Sequence, residues 1–88
     1  MLLVIDVGNT NIVIGIFNGD ELITDWRIHT EKNTTEDEFN ILVNNLFSSS
    51  NINRKSIEHT IISSVVPQMV NILDSFCLKY LGHEPHWV

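Results

Sequence analysis

The first 18 residues carry two apolar runs separated by a polar turn, a pattern that predicts two strands of a sheet. The runs Met1 to Val7 and Ile12 to Phe17 are rich in Val and Ile. Alternate side chains of the first run share a face, and both faces look buried, with Asp6 as the one charge on them. An ionised carboxylate taken out of water needs hydrogen-bond donors, a cation or an opening to solvent. Asp6 is therefore the first candidate for function.

A third strand is predicted directly after these two. Asn18-Gly19 is a strong two-residue hairpin signal. The alternation from Glu21 to Thr30 is typical of a half-buried strand near a sheet edge. One side of this strand is expected to carry Leu22, Thr24, Trp26 and Ile28, and the other Ile23, Asp25, Arg27 and His29. Three strands in succession predict an antiparallel meander.

The first helix is predicted from its start signal. Thr35-Glu36-Asp37-Glu38 is a capping box, in which the Thr35 hydroxyl and the Glu38 carboxylate satisfy first-turn N–H groups. Apolar residues at three-and-four spacing extend the helix to about Phe47. Its expected buried positions are Phe39, Leu42, Val43, Leu46 and Phe47.

The remaining chain predicts a strand, a helix and the start of a fifth strand. Ile57 to Val66 forms the fourth strand, with Ile61, Ile62, Val65 and Val66 at its centre. Pro67 lies near the first turn of the second helix, and Gly82 ends it. Its buried stripe is expected to contain Met69, Val70, Leu73, Phe76, Cys77, Tyr80 and Leu81. With Glu84 to Val88 opening the fifth strand, the order predicts an α/β fold whose mixed sheet is flanked by crossover helices.

Composition and charge narrow the functional classes. The chain has 88 residues, which is at most one domain, and its net charge is −6 without a basic patch. This charge argues against tight binding to nucleic acid or to an anionic membrane. No apolar run approaches the ~18 residues that cross a bilayer, and no basic segment precedes the first strand as in a signal peptide. The single Cys77 cannot form an internal disulfide, which favours a reducing cytoplasm.

The turn Gly8-Asn9-Thr10-Asn11 offers groups that can bind an anion. Gly8 and Asn9 tolerate left-handed backbone, and the N–H groups of such a turn can converge on phosphate oxygens. Asp6 can hold a divalent cation directly or through water. The alternative interpretation is a hairpin whose Asp caps its own turn. The residues from Asp6 to Thr10 fit both interpretations equally, and they match neither a Walker A loop nor a dinucleotide-binding glycine motif.

Other polar residues do not predict a second site. His83 and His86 lie three apart but beside Gly82 and Pro85, so they do not share a helix face that could bind zinc. Cys77 is expected to be a buried structural thiol. Ser63-Ser64 lacks the glycines of a nucleophile elbow and is expected to end its strand near the cleft. Surface, core or capping roles are expected for Trp26, Arg27, Asp37 and Glu38.

The order of motifs resembles a known family. Asp-x-Gly-x-Thr at the first hairpin resembles the ribonuclease-H-like half domain of the acetate and sugar kinase, Hsp70 and actin superfamily. The segments that narrow the resemblance are Asp6 to Asn11, Gly15 to Phe17, Trp26 to Thr30, Thr35 to Phe39, and Ile62 to Pro67. In this order they resemble the type III pantothenate kinases, also called the Bvg accessory factor family. Each motif alone is weak, but the ordered set covers essentially the whole chain.

The resemblance implies an activity and a set of site residues. Members of this family are two-lobed cytoplasmic homodimers that transfer the γ-phosphate of ATP to pantothenate, giving 4'-phosphopantothenate in the first committed step towards coenzyme A. They require magnesium and a monovalent cation, potassium or ammonium. Asp6 is implied to place magnesium, directly or through water. The implied ATP-binding residues are Asp6, Val7, Gly8, Asn9, Thr10, Asn11, Ile12 and Val13.

The resemblance also implies that residues 1–88 are an incomplete N-terminal nucleotide-binding lobe. The Gly-x-Asp-Arg segment that carries the family's general base has no match in the chain. That segment, the second lobe, and the adenosine and monovalent-cation sites are expected downstream of Val88, so these residues alone should not turn over. The alternative is a non-catalytic regulatory or accessory module, or an ATPase half domain, of the same fold.

Overall fold

The computed structural model describes all residues from 1 to 88. It contains five strands, two α-helices, a short 3₁₀ turn and one π turn. The strands are β1 (Leu2–Val7), β2 (Asn11–Asn18), β3 (Glu21–His29), β4 (His59–Ser64) and β5 (His86–Trp87). The helices are α1 (Glu36–Ser49) and α2 (Gln68–Phe76), with the 3₁₀ turn at Arg54–Ser56 and the π turn at Cys77–Leu81.

The five strands form one sheet in the order β3-β2-β1-β4-β5. β2 is antiparallel to both β1 and β3, whereas β4 is parallel to β1 and to β5. Gly19, at a φ of 62°, supplies the left-handed residue that the tight β2–β3 turn requires. The mixed sheet with helical crossovers confirms the predicted α/β class.

The core lies on one face of this sheet, under both helices. Its buried apolar side chains are Leu3, Ile5, Val7, Ile12, Ile14, Ile16, Phe39, Val43, Phe47, Ile57, Ile62, Val66, Met69, Leu73, Phe76 and Cys77. Phe39 of α1 meets Phe76 of α2 edge to face, with ring centroids 5.0 Å apart. Trp87 donates from Nε1 to Asp74 Oδ1 at 2.8 Å, which ties β5 to α2 on the same side.

The prediction that both faces of β1 are buried is wrong. Leu2 and Val4, on the face away from the helices, are only half-buried, and Asp6 is exposed. The reason is the path of the chain. The crossovers from β3 to β4 and from β4 to β5 run in the same direction across the sheet, and right-handed crossovers in one direction place their helices on one face. Of the three ways to accommodate Asp6, the molecule uses an opening to solvent. The face away from the helices is called the open face below.

A β-bulge in β3 overturns a second prediction. Thr24 pairs with Ile16 but Leu22 pairs with Phe17, so Ile23 is an extra residue in the ladder. The bulge moves Leu22 to the open face, where its Cδ1 lies over Gly15. Leu22 is 48% exposed there. The simple alternation predicted that Leu22 and Thr24 share a side, and the bulge separates them.

The helices follow the predicted start signals more closely than the predicted ends. The capping box is present, with Glu38 N donating to Thr35 Oγ1 and Thr35 N donating to Glu38 Oε1, both at 3.1 Å. α1 continues two residues beyond Phe47, to Ser49. None of the helices has the length and apolar content that crossing a membrane requires.

The second helix differs from the prediction at its C-terminus. The α-helical ladder ends at Phe76, and one π turn carries the chain to Gly82, whose N–H donates to Cys77 O at 2.9 Å. Gly82 has a φ of 78°, so the predicted glycine stop is present after the π turn. Burial raises the pKa of the Cys77 thiol to about 12, as expected for a structural cysteine.

β4 is shorter than the predicted strand from Ile57 to Val66. It ends at Ser64, and Val65, which was predicted to lie at the strand's centre, is 66% exposed. The Ser64 hydroxyl turns the chain here. It accepts from Val66 N at 3.0 Å and donates to Val66 O at 3.1 Å, so β4 leads directly into α2.

Candidate functional site

The turn between β1 and β2 is fixed by hydrogen bonds to its own backbone. Gly8 N–H donates to Asn11 O at 2.9 Å. Thr30, the residue after β3, donates from its N–H to Thr10 O and from Oγ1 to Gly8 O, both at 2.8 Å. Two carbonyls of the turn are thus attached to the residue after β3, and these bonds restrain the backbone of the turn.

Glycine is favoured at position 8 by crowding, and not by a left-handed backbone. A Cβ at this position would lie 3.1 Å from Asn11 O, a backbone atom that the hydrogen bonds hold in place. The positive φ that Gly8 and Asn9 were predicted to tolerate is not used, because the positive-φ residues are Gly19, Asn51 and Gly82. The tight approach of Gly8 to Asn11 brings the two ends of the turn together.

The donors that remain free lie at the tip of the turn. The N–H groups of Asn9 and Thr10 make no hydrogen bond within the chain, whereas that of Gly8 is engaged. The side chains of Asn9 and Thr10 are exposed and that of Asn11 is half-buried, and none of the three is hydrogen-bonded. Free N–H, amide and hydroxyl groups on a rigid turn are suited to an anion such as phosphate.

The other predicted ATP-binding positions divide between the two faces of the sheet. Val7 and Ile12 are buried in the core and face away from the turn's donors. Val13 is half-buried on the open face, where the β1–β2 register pairs it with Asp6. The structure therefore brings Asp6, Val13 and the tip of the turn together on the solvent side. Val7 and Ile12 hold the two strands from below.

Asp6 provides one free carboxylate beside the turn. It makes neither an ion pair nor a side-chain hydrogen bond within the chain. No group of three or more His, Cys, Asp or Glu side chains lies together anywhere in the chain, so a cation site built entirely from such groups is absent. Magnesium commonly binds through one or two carboxylates together with water and substrate phosphates. A single exposed carboxylate next to phosphate donors fits that mode of binding.

The end of β4 completes the edge on which these groups lie. Val65 N–H donates to Val7 O at 3.0 Å, which continues the parallel pairing one residue beyond the strand. Ser63 is the β4 partner of Asp6, and it lies on the open face at the carboxyl ends of two parallel strands. Such ends are where open α/β sheets usually bind ligands. The sequence placed Ser63-Ser64 near the cleft, and Ser63 lies beside Asp6.

A cavity of about 480 Å³ lies elsewhere, and it does not include the turn. Its lining residues are Leu2, His59, Thr60, Ile61, Glu84 and His86. Leu2 is at the start of β1, four residues before Asp6, which corresponds to ~13 Å along a strand. The cavity and the Asp6 edge are therefore at opposite ends of the same strand.

Thr30 is the residue of this site that the sequence did not single out. It is 6% exposed, and both of its polar groups serve the turn. The signal that could have found it is the hairpin at Asn18-Gly19. Counting outward from that turn pairs Asn11 with His29, once the bulge is allowed for, and so places Thr30 opposite Thr10.

The sequence was compared with protein families and curated proteins. The family model for type III pantothenate kinase matches residues 2–88. The chain belongs to the type III pantothenate kinase family. The matched residues include every strand and helix described above, so the sequence similarity extends well beyond the turn.

Curated relatives in this family are similar over the same region. The chain is 58% identical over 88 residues to a type III pantothenate kinase of Desulfatibacillum aliphaticivorans, covering 100% of this chain and 34% of the relative. It is 55% identical over 85 residues to that of Syntrophus aciditrophicus strain SB, covering 97% of this chain and 34% of the relative. The chain thus spans about a third of the length of the curated relatives it matches.

Proposed function

We propose that this chain is the ATP phosphate-binding lobe of a kinase that phosphorylates pantothenate to 4'-phosphopantothenate, the first step of coenzyme A biosynthesis. The curated relatives carry the name of that kinase. The observation that carries the proposal is the turn after β1. Its backbone is fixed by Gly8 and Thr30, its donors at Asn9 and Thr10 are free, and Asp6 is exposed beside it.

These groups have the roles that phosphoryl transfer requires. Catalysis of this reaction consists mainly of positioning the phosphates and neutralising their charge. The N–H groups of Asn9 and Thr10, with the side chains of Asn9, Thr10 and Asn11, bind phosphate oxygens. Asp6 holds magnesium directly or through a water molecule, and that cation neutralises phosphate charge when it is bound. Val7, Ile12 and Val13 hold the hairpin that presents these groups.

The rest of the proposal concerns the kinase of which this lobe is a part. We assign the lobe to the ribonuclease-H-like fold of the sugar kinase, Hsp70 and actin superfamily. The observed strand order and the position of Asp6 at the end of β1 support that assignment. The family resemblance further supports a second lobe carrying the general base, a requirement for potassium or ammonium, a homodimer and a cytoplasmic location.

The first test changes the carboxylate. Asp6→Asn keeps the side chain's size at an exposed position, so the melting temperature should stay the same. The amide shifts of Asn9 and Thr10 would be followed by NMR while ATP is added with and without magnesium. We expect magnesium to tighten ATP binding to the unchanged chain and to have little effect on the variant. Asp20→Asn, in the β2–β3 turn, removes the same charge from the opposite end of β2 and is the control.

Two outcomes would contradict the proposal. Magnesium-dependent ATP binding that survives Asp6→Asn would remove Asp6 from the site. Pantothenate phosphorylation by residues 1–88 above background would contradict the inference that the base lies outside them, because no Gly-x-Asp-Arg segment is present. In the complete kinase, Asp6→Asn should lower turnover by orders of magnitude, whereas a regulatory module would be indifferent to it.

A further inference from the structure

The proposed phosphate site has no positively charged side chain in its own hairpin. The chain carries a net charge of −6 with only five Lys and Arg residues. The hairpin from Leu2 to Asn18 contains none of them. A triphosphate approaching Asn9 and Thr10 therefore meets uncharged donors in a negative field. A site of this kind binds far better when a fixed cation lies close to the donors.

The register of the sheet places Arg27 next to this site. Asp6 pairs with Val13 across β1 and β2, and Val13 pairs with Arg27 across β2 and β3. The three residues form one row on the open face, in which Arg27 and Asp6 are two strand spacings apart, about 9.6 Å. One residue pair, Val7 and Ile12, separates this row from the turn. An anion above Val13 would have a carboxylate on one side and a guanidinium on the other.

Arg27 is also free to bind an anion. Its side chain is exposed and takes part in no ion pair, although Asp25 lies two residues away on the same face. Two other basic residues are engaged, since Lys79 pairs with Asp37 at 2.8 Å and Arg54 donates to Asn44. Lys55 belongs to the 3₁₀ turn, next to Ser56, whose carbonyl accepts from the amino group of Met1. That contact is at the far end of β1 from Asp6.

We infer that Arg27 is a phosphate-binding residue of this lobe, supplying the fixed positive charge that the β1–β2 turn lacks. The inference rests on the proposed function, because it assigns a further residue to the same ATP site. Guanidinium groups bind phosphate through paired, charge-assisted hydrogen bonds, which an ammonium group reproduces only in part. Val13, between Arg27 and Asp6, has a short apolar side chain and is half-buried.

The test uses the 88-residue chain and four variants, Arg27→Gln, Arg27→Lys, Lys32→Gln and Lys55→Gln. MgATP and AMP are titrated at low and high salt, and the amide shifts of Asn9 and Thr10 give the dissociation constants. We expect Arg27→Gln to weaken MgATP binding about tenfold, the size of one charge-assisted pair, and to flatten its salt dependence. AMP should change less, since it has one phosphate. Arg27→Lys should recover part of the affinity, and Lys55→Gln should bind as the unchanged chain does.

The outcomes separate this inference from the proposed function. MgATP that shifts Asn9 and Thr10 equally in the unchanged chain and in Arg27→Gln would overturn the role of Arg27 and leave the ATP site standing. A loss in Lys32→Gln instead would assign the charge to the link after β3 and would also overturn it. An unchanged chain that binds no MgATP would overturn the ATP site and the role of Arg27 with it. Melting temperatures of all variants show whether each is folded.

Discussion

At the scale of single residues, Thr30 is a buried polar residue whose donors bind the backbone of the β1–β2 turn. Its hydroxyl and its N–H both donate to carbonyls of the β1–β2 turn, at 2.8 Å each. A buried hydroxyl without a partner is costly, but here it satisfies Gly8 O, which would otherwise need water. The site's rigidity therefore depends on a residue that touches no proposed ligand.

Removing this hydroxyl should loosen the turn. Thr30→Val keeps the shape and the buried methyl group but leaves Gly8 O without its donor, at a cost of about 1–2 kcal/mol in the free energy of unfolding. Thr30→Ser keeps the donor and should retain the turn. Urea unfolding measures the stability. The affinity for MgATP shows whether the Asn9 and Thr10 donors keep their positions. Equal affinities in the two variants would show that the Thr30 hydroxyl does not position the Asn9 and Thr10 donors.

The sequence singled out most of the residues that lie around the β1–β2 turn but not the contacts that each one makes. Asp6 was found because a charge in an apolar run is unusual, and Gly8 because glycine marks a turn. The left-handed backbone that Gly8 was predicted to tolerate is not used, and its N–H donates to Asn11 O. That contact depends on the closeness of two backbone segments, which no local pattern encodes.

At the scale of elements, the start of α1 was predictable and the end of α2 was not. The capping box is formed within four residues, Thr35 to Glu38, so its signal is entirely local. The π turn at Cys77–Leu81 has no comparable local signal, and it coincides with contacts between the two helices. It lies where Tyr80 reaches Asp37 across the two helices, and where Lys79 reaches the same carboxylate at 2.8 Å.

This link between the helices should respond to pH. Hydrogen bonds from Lys79 and then Tyr80 hold the pKa of Asp37 below 3.8, and the bond to Asp37 raises the pKa values of Lys79 and Tyr80 above 10.5 and 10.0. The contribution of Asp37 is therefore present above its unfolded pKa and is lost as pH falls through the lowered value. Those of Lys79 and Tyr80 are present below their unfolded pKa values and are lost as pH rises through the raised ones.

Asp37→Asn should make the chain modestly less stable between about pH 5 and pH 9 and equally stable at either extreme. The effect should shrink in high salt because all three groups are exposed. Glu36→Gln removes another first-turn charge without breaking the link, so it controls for the helix dipole. Melting curves across pH measure both variants. A loss in Asp37→Asn that Glu36→Gln matches, and that persists as pH rises through the pKa values of Lys79 and Tyr80, would show that only the dipole is involved.

At the scale of the whole molecule, the sequence predicted the fold class because apolar periodicity is local to each element. The face that the helices cover was not predictable from β1 itself, where Leu2 and Val4 are as apolar as Leu3 and Ile5. It follows from two crossovers in the same direction, which is a property of the complete chain path. The same path leaves Asp6, Val13, Arg27 and Ser63 together on the open face.

A one-sided core predicts an asymmetry that neighbouring residues of β4 can test. Ile62 is 0% exposed under the helices, whereas Ile61 is half-buried on the open face. Ile62→Ala should lower the free energy of unfolding by about 2–5 kcal/mol. Ile61→Ala should lower it by about 1 kcal/mol, because Ile61 buries less apolar surface on folding. Urea unfolding at several protein concentrations gives both values.

An 88-residue chain has about 4–13 kcal/mol of stability in total, so Ile62→Ala could leave it unfolded. The valine pair then replaces the alanine pair, with expected losses of about 1 kcal/mol for Ile62→Val and less than about 0.5 kcal/mol for Ile61→Val. The two positions have the same side chain and lie on the same strand, so only the face differs. Equal losses at the two positions would show that the open face is covered in solution. Losses that grow with protein concentration would show that a second copy of the chain covers it. The Asp6 edge would then be part of an interface between copies of the chain, which would contradict its proposed role as an open ATP site.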